Sequence, residues 1–137
     1  MIHLTIIGVP VPQGRPKFSA RGGFARAYDP KTSRDYKFTV ATQASQQYHS
    51  EPLTGPVACH VKVYRPIQKS GSKRLRAAKA AGLIRPTVKG DTDNYFKAIT
   101  DALTGLVWID DAQIVDSSCS KYYTEDPRVE ITIEEIK

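Results

Sequence analysis

GDTDNYFKAITDALTGLVWIDD, residues Gly90 to Asp111, is the stretch from which the rest of the chain can be read. With Asp93 set at zero and about 100° per residue, Lys97 falls near 40°, Asp101 near 80° and Asn94 near 100°. Tyr95, Ile99, Ala102, Leu103 and Leu106 gather at roughly 180° to 280°. Polar and apolar faces separate, which predicts an amphipathic helix that starts near Asp91 or Asp93 and lies on a core. Asp110 and Asp111 follow soon after its end. Like charges repel, so gathering carboxylates is costly unless a cation shares them, and hard divalent ions such as magnesium take oxygen ligands of this kind. Each residue alone has a simpler role, Asp91 or Asp93 as a helix cap and Asp110 and Asp111 as turn residues. A lysine on the same helix face and a second acidic pair nearby make the combination read as a metal site.

The flanking sequence alternates strands and helices. Ile2 to Val9 is a β-branched run stopped by Pro10 and Pro12. QGRPKFSARGGFARAYDPKTS, residues 13–33, has no steady period and is predicted to be a long loop or extended arm. Thr32 or Ser33 is placed to cap a helix running towards Tyr48, although polar residues interrupt its middle. Pro56 to Tyr64 alternates as a strand and is closed by Pro66. Lys73, Arg74, Arg76 and Lys79 crowd a short helix whose apolar stripe is only Leu75, Ala78 and Ala81. Two more strands are expected in Asp111 to Tyr122 and Val129 to Ile133. With 137 residues, 40% of them hydrophobic, and no shift in composition that marks a linker, a single domain spanning residues 1–137 is expected.

Charge points to the partner. Residues 1–90 carry 16 Lys and Arg against 3 Asp and Glu, and residues 91–137 carry 4 against 11, which together give the net +6. A strongly positive first part implies an anionic partner, and nucleic acid leads, with a solvated basic face as the plainer alternative. No apolar run approaches membrane-spanning length, and the opening MIHLTIIGVPVP lacks the features of a secretion signal, so a cytoplasmic protein without a membrane partner is expected. Cys59 and Cys119 have no zinc-type spacing and read as small buried thiols. His3, His49 and His60 are scattered, and Cys59 and His60 would point to opposite faces of a strand, so catalysis should not rest on histidine.

Hydrolysing a phosphodiester requires an activated water, shielding of charge on the nonbridging oxygens and stabilisation of a leaving oxyanion. Carboxylate-held magnesium supplies much of this, and a nearby lysine can act as a fixed cation. No P-loop, dinucleotide fingerprint or nucleophilic serine or cysteine triad competes for the assignment.

At these residues the chain resembles the RusA family of Holliday junction resolvases, often carried by prophages. The resemblance rests on the opening strand, on VPVPQGRPKFS (residues 9–19), on DTDNYFKAITDAL (residues 91–103) and on WIDDAQIVD (residues 108–116). It implies a compact mixed α/β (α+β) fold, with a sheet of about four strands flanked by helices, working as a homodimer. It also implies magnesium, with manganese as a substitute, bound by Asp91, Asp93 and Asp111, and a catalytic role for Lys97. Asn94 and Asp101 match motif positions and are expected to support the site rather than do chemistry. Gly90 and Thr92 depart from the usual residues at their positions. The implied activity is paired symmetric nicking of four-way DNA junctions in recombination and repair, near the nucleoid.

Arg15 and Lys17 lie in the shared motif and are the first expected phosphate contacts, with Lys73, Arg74 and Arg76 second. Phe18, Phe24 and Tyr28 interleave with basic residues, either stacking on exposed bases or anchoring the loop to the core. Two other functions fit the same sequence. One is a nuclease of flaps or replication forks in phage DNA processing. The other is a basic nucleic-acid-binding module without catalysis, in which the aspartates only cap a helix and shape a turn.

Overall fold

The computed structural model describes residues 1–137, the side chain of Arg21 excepted. Its framework is a four-stranded sheet built from β1 (Ile2–Ile7), β4 (Val57–Pro66), β5 (Ile114–Thr124) and β6 (Arg128–Glu135), in the order β1-β6-β4-β5. The remaining elements are a ribbon of β2 (Lys17–Ser19) and β3 (Arg26–Tyr28), and three helices, α1 (Lys31–Gln47), α2 (Lys73–Ala80) and α3 (Thr92–Leu103). The sheet is mixed. β6 runs antiparallel to both β1 and β4, while β4 and β5 are parallel and therefore need a long crossover, which carries α2 and α3.

One sheet face is apolar and the other wet. Leu4 and Ile6 of β1, Val57, Cys59, Val61 and Val63 of β4, and Val129, Ile131 and Ile133 of β6 are all buried. Of the residues between them, His3, Thr5, His60 and Lys62 are exposed and Glu130 and Thr132 partly so, while Ala58 is buried. This is the alternation of an antiparallel sheet with one solvated side. Cys59 and His60 do face opposite ways, as strand geometry requires.

α1 and α3 close the apolar face. α1 contributes Tyr36, Val40 and Ala44 to the core, and α3 contributes Tyr95, Ala98, Ile99 and Leu103. Two polar residues in the last turns of α1 have a separate function. Gln47 accepts from the Thr5 N–H at 2.9 Å and donates to the Thr5 carbonyl at 2.8 Å. Gln43 does the same for Ile7, at 2.8 and 3.0 Å. Two glutamines one turn apart thus satisfy part of the free edge of β1, a row of groups that would otherwise invite another strand.

Two local expectations need correction. The start of α1 is not capped by Thr32 or Ser33: Pro30 occupies the cap position, and Ser33 is buried, its hydroxyl accepting from the Gly14 N–H at 2.9 Å. Proline suits this end because its missing N–H is one that a helix start leaves unpaired in any case. The predicted loop over residues 13–33 contains the β2–β3 ribbon, paired as Lys17 with Tyr28, Phe18 with Ala27 and Ser19 with Arg26. No helix among the described residues is long and apolar enough to cross a membrane.

Candidate active site

The approach to α3 is set by Gly90. Its φ of +113° lies where side chains are rarely tolerated, and a Cβ there would fall 2.6 to 2.8 Å from the Tyr95 ring. The Tyr95 phenol accepts from Arg65, and Lys121 donates to the carbonyls of Gly90 at 3.0 Å and Val88 at 3.3 Å. Asp91 then takes the N-cap position, its carbonyl accepting from Asn94 at 3.0 Å and Tyr95 at 3.1 Å. Its carboxylate makes no capping bond. The cap reading therefore fails for the Asp91 side chain, which stands exposed. Asp93 lies in the first turn and is felt by Cys119 on β5: burial first, and the Asp93 charge second, push that thiol up to about 11.

The second acidic segment divides its labour. Asp110 accepts from the Ala112 N–H at 2.9 Å, while Gln113 Oε1 accepts from the N–H groups of Ile109 and Asp110 at 2.9 Å each. This reciprocal capping box closes the single turn Asp111–Gln113. Gln113 Nε2 reaches across to the carbonyls of Leu53 at 2.8 Å and Gly55 at 2.9 Å, fastening the turn to the loop before β4. Asp111 is left exposed at the entrance to β5. In the D-D-x-Q pattern, the first aspartate and the glutamine build the turn that presents the second aspartate.

These two segments meet. Asp93, Lys97 and Asp101 from α3 and Asp111 and Ser117 from beyond it line one cavity of about 430 Å³. Asp91 is not among the residues on its wall. Lys97 Nζ donates to Asp101 Oδ2 at 3.1 Å, and the same oxygen accepts from Lys37 Nζ at 3.1 Å. Lys37 also donates to Asp29 Oδ2 at 2.7 Å, and Gln13 Nε2 donates to Asp29 Oδ1 at 3.2 Å. Burial pulls the Lys37 ammonium down, but its bonds to Asp29 and Asp101 outweigh that and hold it above the usual lysine value. The Lys37 bond in turn keeps the Asp29 carboxyl below the usual carboxylate range. Lys37, Asp29 and Gln13 have no role in the sequence reading, because their partner on α3 is distant along the chain.

The carboxylates of Asp91, Asp93 and Asp111 make no hydrogen bond or ion pair with any described residue, whereas Asp101 and Asp110 are committed to internal partners. Among the described residues no three His, Cys, Asp or Glu side chains stand close enough together to hold a metal ion as arranged. The three-carboxylate cage that the resemblance implies is thus not formed by the described residues as arranged. Two hard carboxylates on one polar cavity still suit magnesium, which keeps several waters and uses one or two carboxylates with substrate phosphates rather than a closed protein cage. The donor set fits that ion and does not resemble a structural zinc site.

The basic residues occupy two exposed elements. Arg15 and Lys17 lead into the ribbon, whose base is tied to the first turn of α3 by the Gln13 N–H on the Asn94 carbonyl at 2.9 Å. Phe18 and Phe24 are 74% and 72% exposed and Tyr28 is 44% exposed, so none of them anchors the arm to the core. Lys73, Arg74 and Arg76 are exposed on α2, which has no buried residue at all. Lys79 is engaged instead, donating to Gln68 at 2.8 Å and lying over the Tyr123 ring. A larger hollow of about 690 Å³ on the open sheet face is lined by Asp116, Glu134 and Glu135, the wrong sign for a phosphate backbone.

The family model described as endodeoxyribonuclease RusA matches residues 8–134. The chain belongs to the RusA family. The match takes in the ribbon, the Asp91–Lys97 turn and the Asp110–Gln113 turn, so the whole of the candidate site lies within the family domain. A relative from Bacillus subtilis (strain 168), described as uncharacterized protein YqaN, is 47% identical over 137 residues, covering 98% of this chain and 96% of its own length. The mixed α/β fold, a four-stranded sheet with helices against it, accords with this RusA family membership.

Proposed function

We propose that the chain is a magnesium-dependent, structure-selective endodeoxyribonuclease that resolves four-way DNA junctions, acting as a homodimer in the cytoplasm. The observation that carries this reading is that Asp93 and Asp111, delivered by separate segments and free of internal partners, share a cavity with Lys97. Magnesium, with manganese as a substitute, is assigned to Asp91, Asp93 and Asp111, of which Asp93 and Asp111 line the cavity and Asp91 is exposed without a capping bond. When bound, it supplies charge neutralisation at the scissile phosphate and a more acidic water. Lys97 holds a positive charge at the cavity wall, where it stabilises charge developing on nonbridging oxygens. Asp101 and Asp110 do not take part in chemistry; they hold Lys97 and the Asp111 turn in place.

Arg15 and Lys17 on the arm, with Lys73, Arg74 and Arg76 on α2, are assigned to the phosphate backbone. Dimerisation follows from the substrate: a four-way junction has two opposed strands to cut, and two-fold symmetry offers one site to each. Membership of an endodeoxyribonuclease family supports the reaction class. The test is a comparison of cleavage rates on a synthetic four-way junction, a flap and a linear duplex in magnesium, with products mapped on every strand. Preference for the junction, with paired symmetric nicks, is the expected result. Preference for the flap would keep the chemistry and replace the substrate, and no magnesium-dependent cutting of any of them would remove the assignment.

A further inference from the structure

Lys37 stands outside every motif in the sequence, 64 positions from the aspartate it holds. The contacts around it form a brace that begins and ends on α3. The Asn94 carbonyl accepts from the Gln13 N–H at 2.9 Å. Gln13 donates to Asp29 at 3.2 Å, Lys37 donates to Asp29 at 2.7 Å, and Lys37 donates to Asp101 at 3.1 Å. Asn94 and Asp101 lie on either side of Lys97 along the helix, so the brace spans the stretch that carries it.

We propose that Lys37 is a positioning residue for the candidate active site: by fixing the carboxylate of Asp101 it holds the ammonium of Lys97 on the wall of the carboxylate cavity. The pair Lys97–Asp101 alone is an i,i+4 contact whose lysine side chain is 60% exposed, and exposed pairs of this kind hold their geometry poorly. Lys37 is different. Its side chain is 18% exposed and is pinned from its other side by Asp29, so Asp101 is gripped by a cation already in place. Two ammonium groups and two carboxylates also balance, leaving the brace without net charge beside the site. Removing Lys37 leaves an excess negative charge there and leaves Asp101 held only by the exposed lysine it is meant to orient.

The inference rests on the endonuclease reading for what Lys97 does, but not for how Lys97 is held, and the experiment separates the two. Lys37→Met removes the charge and both bonds while keeping a similar stem; Lys37→Arg keeps the positive charge and offers several N–H donors to the two carboxylates. The first measurement is nitrogen-15 relaxation of the Lys97 ammonium in the full chain without metal or DNA. It should show greater mobility in Lys37→Met and wild-type behaviour in Lys37→Arg. The second is junction cleavage in magnesium at saturating protein, alongside junction affinity. Lys37→Met should lose about 10- to 100-fold in rate, with affinity within about twofold of wild type, and Lys37→Arg should recover most of the rate. Equal Lys97 mobility in wild type and Lys37→Met would overturn the proposal, as would a loss confined to affinity or an arginine variant as impaired as the methionine one. If the wild type cuts no DNA, the endonuclease reading fails by itself and the relaxation measurement still decides the brace. If Lys37→Met does not fold, Asp101→Asn should loosen Lys97 in the same way, and an unchanged Lys97 in that variant would be equally decisive.

Discussion

Gly90 and Tyr95 approach so closely that a methyl group on the glycine would meet the phenol oxygen at 2.6 Å. The ring cannot retreat easily, since Tyr95 is 1% exposed and its hydroxyl is held by Arg65. Gly90→Ala should therefore destabilise the fold by about 1–3 kcal/mol, from the positive φ and the clash together. Urea unfolding checks this. Because Asp91 is the next residue, cleavage should fall by more than the lost stability explains at a temperature where both proteins are folded.

The adjacent aspartates of the second segment should behave in opposite ways. Asp110→Ala removes the cap of the Asp111–Gln113 turn and should cost about 1 kcal/mol while leaving measurable cleavage. Asp111→Asn removes no internal bond, so stability should stay within about 0.5 kcal/mol while cleavage falls at least about a hundredfold. Thermal melts and single-turnover rates on the same preparations distinguish them. Equal phenotypes would contradict the division of roles.

A ribbon with both faces open stays folded for reasons outside its own packing, since isolated two-stranded hairpins are marginal in water. Phe18→Ala and Phe24→Ala should accordingly leave stability within about 0.5 kcal/mol. If these rings stack on bases exposed at a branch point, each substitution should weaken junction binding by about 1–3 kcal/mol. Titration of a fluorescent junction at several salt concentrations measures this, with affinity falling steeply as salt rises. Lost stability with unchanged affinity would make the rings structural.

The two thiols make a pH prediction. Burial pushes Cys59 up to about 12 from its ordinary 9.0, and burial aided by Asp93 pushes Cys119 up to about 11. The folded state thus keeps protons that the unfolded chain gives up, so this contribution is fully present below about pH 9 and is lost as pH rises towards 11 and 12. Stability measured across that window should fall, and both thiols should react slowly with a disulfide reagent at pH 8. In Asp93→Asn the Cys119 value should drop, a readout of Asp93 facing β5 that does not depend on activity.

Much of this architecture is legible in the sequence because single elements carry their own periodicity. α3 shows it best: Tyr95, Ile99 and Leu103 are buried as the wheel requires, and Lys97 is exposed. β4 and β6 alternate and are strands. The ribbon is not legible, since with neither face buried it has no apolar period to display. The insertion of β6 between β1 and β4 is a tertiary choice that no local pattern encodes. Gln43 and Gln47 look like interruptions of an apolar face until the edge of β1 is placed beside them. Lys37 is hidden for the same reason, its value being set by Asp101 far along the chain. Of the candidate site, the residues that line the cavity include Asp93, Lys97 and Asp111, which chemistry and motif single out, whereas the contacts of Lys37 with Asp29 and Asp101 have no signal in the sequence.

The most direct measurement compares wild type with Asp93→Asn on one synthetic four-way junction, in magnesium and in chelator, following single-turnover cleavage and junction binding together. Wild type should nick two opposed strands symmetrically in magnesium only, and Asp93→Asn should bind the junction with similar affinity while cutting at least about a hundredfold more slowly. Full cutting by Asp93→Asn in magnesium, or equal cutting by wild type in chelator, would contradict the account.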